Sequence, residues 1–231
     1  MDAQLSSLKK TARTAGLWYL CLIIIGIYGL RFVAGQIRVA GNMAATAQNI
    51  ITHEFLFRTG VASNLAGNLI FLFLVLAFYK LLKQVNERQA KLMVILVILQ
   101  IPISFVVELL NFTSLLILKG EAIPSINPAQ KQDMAILLLN MHNYGLNVLE
   151  IFWGIWLIPL GQLVYKSGFI HRIIGVLLIV GGIAYMADSF TYLLFPAYDA
   201  VVSPFAILAS LGEIAIMLWL LIVGVKIREA Q

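Results

Sequence analysis

The sequence predicts an all-α integral membrane protein, a polytopic bundle of six transmembrane helices with both termini in the cytoplasm. Three observations carry that reading. Of 231 residues, 61% are hydrophobic. Only 12% are charged, about half the share of an average soluble domain. Six apolar segments each approach or exceed the roughly 20 residues that cross about 30 Å of hydrocarbon. A soluble globule needs a polar skin that this composition cannot supply. The abundance of aromatic and branched residues excludes disorder. The net charge of +5 is therefore read by position along the chain and not as a nucleic-acid footprint.

The spans fall at about 15–36, 56–79, 92–118, 134–165, 170–195 and 204–225. They leave no length for a soluble domain, so residues 1–231 are expected to form a single membrane domain. The first span follows Lys9, Lys10 and Arg13 and mimics a signal peptide. Its apolar run is long for one, and Arg31 would crowd the cut, so the span is expected to be retained. Cys21 lies inside it and is expected to be a buried, inert thiol. Residues 37–54 (IRVAGNMAATAQNIITHE) read as an amphipathic helix at the interface. The second span carries Ser63-x-x-x-Gly67, a spacing for close helix packing. Pro102 in the third span and Pro159 in the fourth each predict a kink. Between them, residues 119–131 with Pro124 and Pro128 read as an irregular loop. Gly181-Gly182 in the fifth span is a second close-packing signal. Trp18, Tyr19, Tyr79 and Tyr165 fit interfacial anchoring belts. Tyr-Lys turns at 79–80 and 165–166 hint at a parallel internal repeat, which shared membrane composition explains more simply.

Basic residues set the orientation. With the N-terminus inside, the cytoplasmic side holds Lys9, Lys10, Arg13, Lys80, Lys83, Arg88, Lys91, Lys166, Arg172, Lys226 and Arg228. The other side holds Arg31, Arg38, Arg58, Lys119 and Lys131. This asymmetry supports cytoplasmic ends.

Polar side chains inside the spans are the candidates for function, because hydrocarbon makes them costly. At 100° per residue, Gln100, Ser104, Glu108, Asn111 and Ser114 share one face of the third helix. Asn140, Asn143, Asn147, Glu150 and Gly154 share a face of the fourth, and Gly181, Tyr185, Asp188 and Tyr192 a face of the fifth. Ala206, Ser210, Glu213 and Met217 line the sixth, and His53, Asn64 and Asn68 align on the second. At about 1.5 Å per residue, Glu108, Glu150, Asp188 and Glu213 all lie roughly 20–25 Å from the inner helix ends. They are expected to form one acidic pocket open to the outside, with Arg31 as counter-charge. Asn64, Asn68, Asn111, Asn147 and Tyr185 would orient a ligand there. Glu54 and Arg58, at i and i+4, are expected to pair with each other. The same stripes could also be helix–helix glue.

Other chemistry is weak. His53-Glu54 suggests a zinc motif, but Phe57 stands where the second histidine would be. A metal set of His53, Glu54 and His142 remains as an alternative, although His142 points away from the Asn–Glu stripe of its helix. His171, beside Arg172, reads as a solvated turn residue. No nucleophile elbow and no glycine-rich phosphate loop occur, and nothing names a cofactor.

Four stretches are informative together: RTAGLWYLCLIIIGIYG, ATAQNIITHEFLFRTGVASN, YKSGFIHRIIGVLLIVGGIAYMADSFTYLLFP and LGEIAIMLWLLIVGVK. Their most distinctive pieces are His53-Glu54 to Arg58, Tyr185 to Asp188-Ser189, and Gly212-Glu213. The chain resembles, from first helix to last, a bacterial membrane family known as domain of unknown function 4386. The resemblance implies a bacterial inner-membrane protein of about six helices. It implies no reaction and carries over no catalytic residues.

The leading expectation is a multi-pass membrane protein, in contact with the lipid bilayer, that binds or transports a small polar or cationic solute. The rivals are a non-catalytic scaffold or partner protein and an intramembrane hydrolase or transferase, with or without a metal.

Overall fold

The computed structural model describes the backbone of residues 2–226 and the side chains of 6–205 and 210–226. Ala206 of the sixth polar stripe and Arg228 of the charge pattern lie outside the described side chains. Helix α1 (Asp2–Gly26) runs on through a π-helical stretch (Ile27–Val33) into α2 (Ala34–Ile37). Then come α3 (Met43–Thr52), α4 (Glu54–Leu82), α5 (Glu87–Lys119), α6 (Pro128–Ile155), α7 (Leu157–Ser167), α8 (Arg172–Leu194) and α9 (Asp199–Ile222). The described residues contain no strand. Among them, six helical stretches are long and apolar enough to cross a membrane: Ser6–Ile37, Glu54–Leu82, Glu87–Lys119, Pro128–Ser167, Arg172–Leu194 and Pro196–Ile222. Each overlaps an expected span, and most extend further at their ends, where polar residues continue the helix beyond the apolar run.

Local chemistry explains the boundaries. Asn42 caps α3 by accepting the Ala45 N–H at 2.9 Å. Pro128 opens α6, where its missing N–H costs nothing. The kink expected at Pro159 appears as a break at Trp156, because Pro159 offers no N–H to the Ile155 carbonyl. Gly168, at φ +72°, then ends α7 in the left-handed conformation. His171 has more than the solvated role expected for it, since its Nδ1 accepts the Ile173 N–H at 3.3 Å and caps α8. Pro102 sits inside α5. Cys21 is exposed on the protein surface, not buried. An apolar span needs no protein cover where it meets lipid, so apolar context does not imply burial in the core.

The chain divides into two compact units. One comprises the residues up to Cys21, Ile70–Gln100 and the chain from Asn147 onward. Its core holds Trp156, 2% exposed, with Phe71 edge-on at 4.8 Å between ring centroids and Tyr19 and Phe78 around it. Glycines bring its helices together. A Cβ on Gly154 would strike the Gly182 carbonyl, and one on Gly161 would lie 2.6 Å from the Gly175 carbonyl. Gly212 of α9 meets the α8 backbone at Leu177 and Leu178 in the same way.

The other unit comprises Leu22–Leu69 and Ile101–Leu146. Val33, Ile37, Ile50, Phe57, Val61, Leu115 and Leu139 form its apolar cluster, so α3 buries its apolar face there. The Thr46 hydroxyl accepts the Val39 N–H at 2.9 Å, and the Asn49 amide donates to the Ile37 carbonyl at 3.1 Å. These two bonds fasten α3 to the end of α2. Small residues on α4 receive the π-helical stretch. The Val33 side chain abuts Gly60, the Ser63 hydroxyl donates to the Ile25 carbonyl at 3.1 Å, and Gly67 touches Ile25.

Two substitutions separate close packing from mere helix composition. Gly182→Val is expected to cost about 1–3 kcal/mol by overpacking against α6. Gly26→Ala, with nothing within 4 Å of the new Cβ, is expected to be neutral or to stabilise by up to about 1 kcal/mol through helix propensity. Thermal unfolding in detergent measures both.

Candidate functional site

The polar face of α5 is buried along its length: Gln100, Ser104, Glu108, Asn111 and Ser114 are all at or below 8% exposure. Within the second unit, Glu108 is the centre of a hydrogen-bonded group. Its Oε1 accepts from Asn64 Nδ2 at 3.0 Å and from His142 Nε2 at 3.2 Å. The other face of the His142 ring meets an arginine, with Nδ1 3.3 Å from Arg38 Nη2. Glu108 Oε2 is buried and has no hydrogen-bond partner. Asn64 is held in turn by α4, where Asn68 Nδ2 donates to the Asn64 carbonyl at 2.9 Å. Gly29 lies against the Asn64 side chain, and a Cβ there would collide with Asn64 Oδ1. Asn111 is buried one turn beyond Glu108, and its carbonyl accepts the Ser114 hydroxyl.

Two expectations change here. Arg31, read as the counter-charge, is exposed, and Arg38 makes the arginine contact instead. The π-helical stretch has an i→i+5 bonding pattern, so it advances less per residue than the α-helical wheel assumes. The chain then turns extended at Arg38 (φ −82°, ψ 132°) and frees that side chain to reach His142. His142, read as lying off the functional face, is 1% exposed. The buried face of α6 in this unit runs through Ala135, Leu139 and His142, beside the asparagine stripe and not along it.

The first unit holds the other three acids. Both oxygens of Glu213 are taken by phenols, Oε2 by Tyr19 at 2.7 Å and Oε1 by Tyr185 at 3.1 Å. Tyr19, read as an interfacial anchor, is 1% exposed. Asp188 is buried, and the Glu150 carboxyl is its neighbour. Asp188 Oδ1 is buried with no hydrogen-bond partner. Asn147 and Glu150 are half-buried on α6.

The metal alternative does not assemble. His53 is exposed and its Nδ1 faces the Asn49 carbonyl at 3.2 Å. Glu54 Oε1 pairs with Arg58 at 2.7 Å, as its spacing predicts, and also with Lys119 at 3.1 Å. His142 is committed to Arg38 and Glu108. Among the described residues, no group of three or more His, Cys, Asp or Glu side chains is placed to hold a metal ion.

Six membrane-length helices with hydrogen-bonded acids inside them define a multi-pass α-helical membrane protein. The chain belongs to the family described as Domain of unknown function (DUF4386), whose model matches residues 14–224. Over 79 residues it is 35% identical to a protein of Archaeoglobus fulgidus described as an uncharacterized protein. That match spans 34% of this chain and 46% of the archaeal protein, so the chain covers less than half of that relative's length. No solved structure matches the chain.

The Glu213 clamp predicts a stability difference between two tyrosines. Tyr19→Phe strands an oxygen of the half-buried Glu213 carboxylate and is expected to cost about 1–3 kcal/mol. Tyr165→Phe, at a side chain 44% exposed, is expected to stay within about 0.5 kcal/mol of the parent. Thermal or denaturant unfolding in detergent distinguishes the two.

Proposed function

We propose that the protein binds a small polar or cationic solute within the membrane, in transport or in sensing, and that Glu108 is the carboxyl that meets it. The proposal includes a cytoplasmic membrane location, both termini in the cytoplasm, and access to the carboxyls from the outer side. The asymmetry of the basic residues supports that orientation.

The observation that carries the reading is the uneven satisfaction of Glu108. Two donors converge on Oε1 while Oε2, equally buried, has none. A buried carboxylate oxygen without a partner costs free energy that a cation or an N–H donor would recover. Asp188, with Oδ1 in the same condition, is the second ligand-facing acid, with Glu150 beside it. Asn64 holds the Glu108 carboxyl in one orientation. Asn68, Asn111 and Asn147 support the two centres. Glu213 has a different role, since its two tyrosines already satisfy both oxygens. That observation favours a structural clamp there, with Tyr185 joining it to the helix that carries Asp188.

Methylammonium is a suitable probe, being a minimal cation with N–H donors. Saturable binding to purified protein in lipid nanodiscs, read by calorimetry, is expected for the parent chain. Glu108→Gln is expected to weaken it roughly a hundredfold. Binding of equal strength in Glu108→Gln and in Asp188→Asn would remove the carboxyls from the site.

A further inference from the structure

Arg38, His142 and Glu108 form a chain whose direction is set by chemistry. A guanidinium has only N–H donors. His142 Nδ1, facing Arg38 Nη2 at 3.3 Å, therefore accepts. The ring proton is then on Nε2, which donates to Glu108 Oε1 at 3.2 Å. The imidazole thus connects an exposed arginine to a carboxyl that is 3% exposed. Each Glu108 oxygen has its own environment: Oε1 belongs to the histidine and Asn64, and Oε2 has no partner.

We infer that His142 is the proton route to Glu108, gated by Arg38, so that a proton delivered at Oε1 competes with a cation held at Oε2. The competition rests on the reading of Glu108 as the solute-facing carboxyl; the proton route does not. The transfer makes two bonds and breaks two. When the Arg38 side chain swings away, Nδ1 takes a proton from a hydronium ion: an N–H bond forms there, an O–H bond of the hydronium breaks, and water is left. The Nε2–H bond then breaks as an O–H bond forms at Oε1. One proton has come in, Glu108 is neutral, and the ring has exchanged one tautomer for the other. Reversal of the same steps restores the carboxylate. While Arg38 is in place its positive charge covers Nδ1 and opposes an arriving proton.

The surroundings isolate this chain. On α4, the neutral Asn64 donates to Glu108, and Glu54 and Arg58, the charged residues in the part of that helix within this unit, are paired with each other. Lys119, at the end of α5, is engaged by Glu54 and Glu121. Arg38 contributes the positive charge, from the segment that follows α2, and His142 on α6 is hydrogen-bonded to the carboxyl.

The test is infrared spectroscopy of the protonated carboxyl after a downward pH jump, on the whole protein in nanodiscs. The Glu108 band is the one missing from Glu108→Gln. It is expected to grow in the parent chain as the pH falls. His142→Gln keeps a hydrogen-bonding amide but removes proton transfer, and is expected to slow the band's appearance about a hundredfold. Arg38→Ala, at an exposed side chain that leaves the fold intact, is expected to speed it. An unchanged rate in His142→Gln overturns the route, as does the absence of any Glu108 band in the parent. Should His142→Gln fail to fold, Arg38→Ala decides: a rate no faster than the parent's overturns the gate. Methylammonium is expected to suppress the band. A band that it leaves untouched would refute the solute reading of Glu108 while the proton route stands on its own rates.

Discussion

Hydrocarbon offers no hydrogen bonds, and that single constraint organises the molecule. Every backbone polar group inside a span has to be paired within the protein, which makes the spans helical. Side-chain polar groups have to find partners across helices. The resulting contacts are specific in a way that apolar packing is not. Glu213 draws in a phenol from α1 and another from α8. Ser63 on α4 takes a carbonyl where the helix of α1 changes from α to π geometry. Close approach of backbones at Gly154, Gly161 and Gly212 supplies the rest, since lipid is as apolar as a leucine and gives no hydrophobic drive between helices.

The same constraint gives the acids different meanings. Glu213 is fully satisfied by protein. Glu108 has one oxygen engaged and one without a partner, and Asp188 Oδ1 has no partner either. A purely structural carboxyl gains nothing from half-satisfaction, whereas a carboxyl that exchanges a proton or a ligand requires it. The distinction lies in the number of donors that converge on each oxygen.

Much of this was legible in the residues. The six spans follow from run length and hydropathy, and the polar face of α5 follows from 100° spacing, because Gln100 to Ser114 lie on an unbroken helical stretch. The Glu54–Arg58 pair and the packing at Gly67 and Gly182 follow from local spacing as well. What escaped depended on neighbours or on irregular backbone. Tyr19 looks like any interfacial aromatic until α9 is seen beside it. Cys21 looks buried until lipid is recognised as its solvent. Arg38 and His142 escaped for two reasons. A helical wheel loses its phase across Ile27–Val33, and the face of α6 toward Glu108 is not its most polar face. The cue in the sequence was the co-occurrence of an arginine, a histidine and a carboxyl near the same end of three spans.

Gly29 gives the Glu108 centre a reach beyond its polar residues. It donates no side-chain bond and carries no charge, yet the Asn64 amide occupies the volume that any Cβ at this position would fill. The centre therefore has a steric specification written on a different helix, in the form of a missing methyl group. A survey that ranks residues by chemical reactivity passes over it. In a comparison of relatives, positions 29 and 64 are expected to change together, a larger residue at one compensated by a smaller at the other, because the two share a single parcel of space.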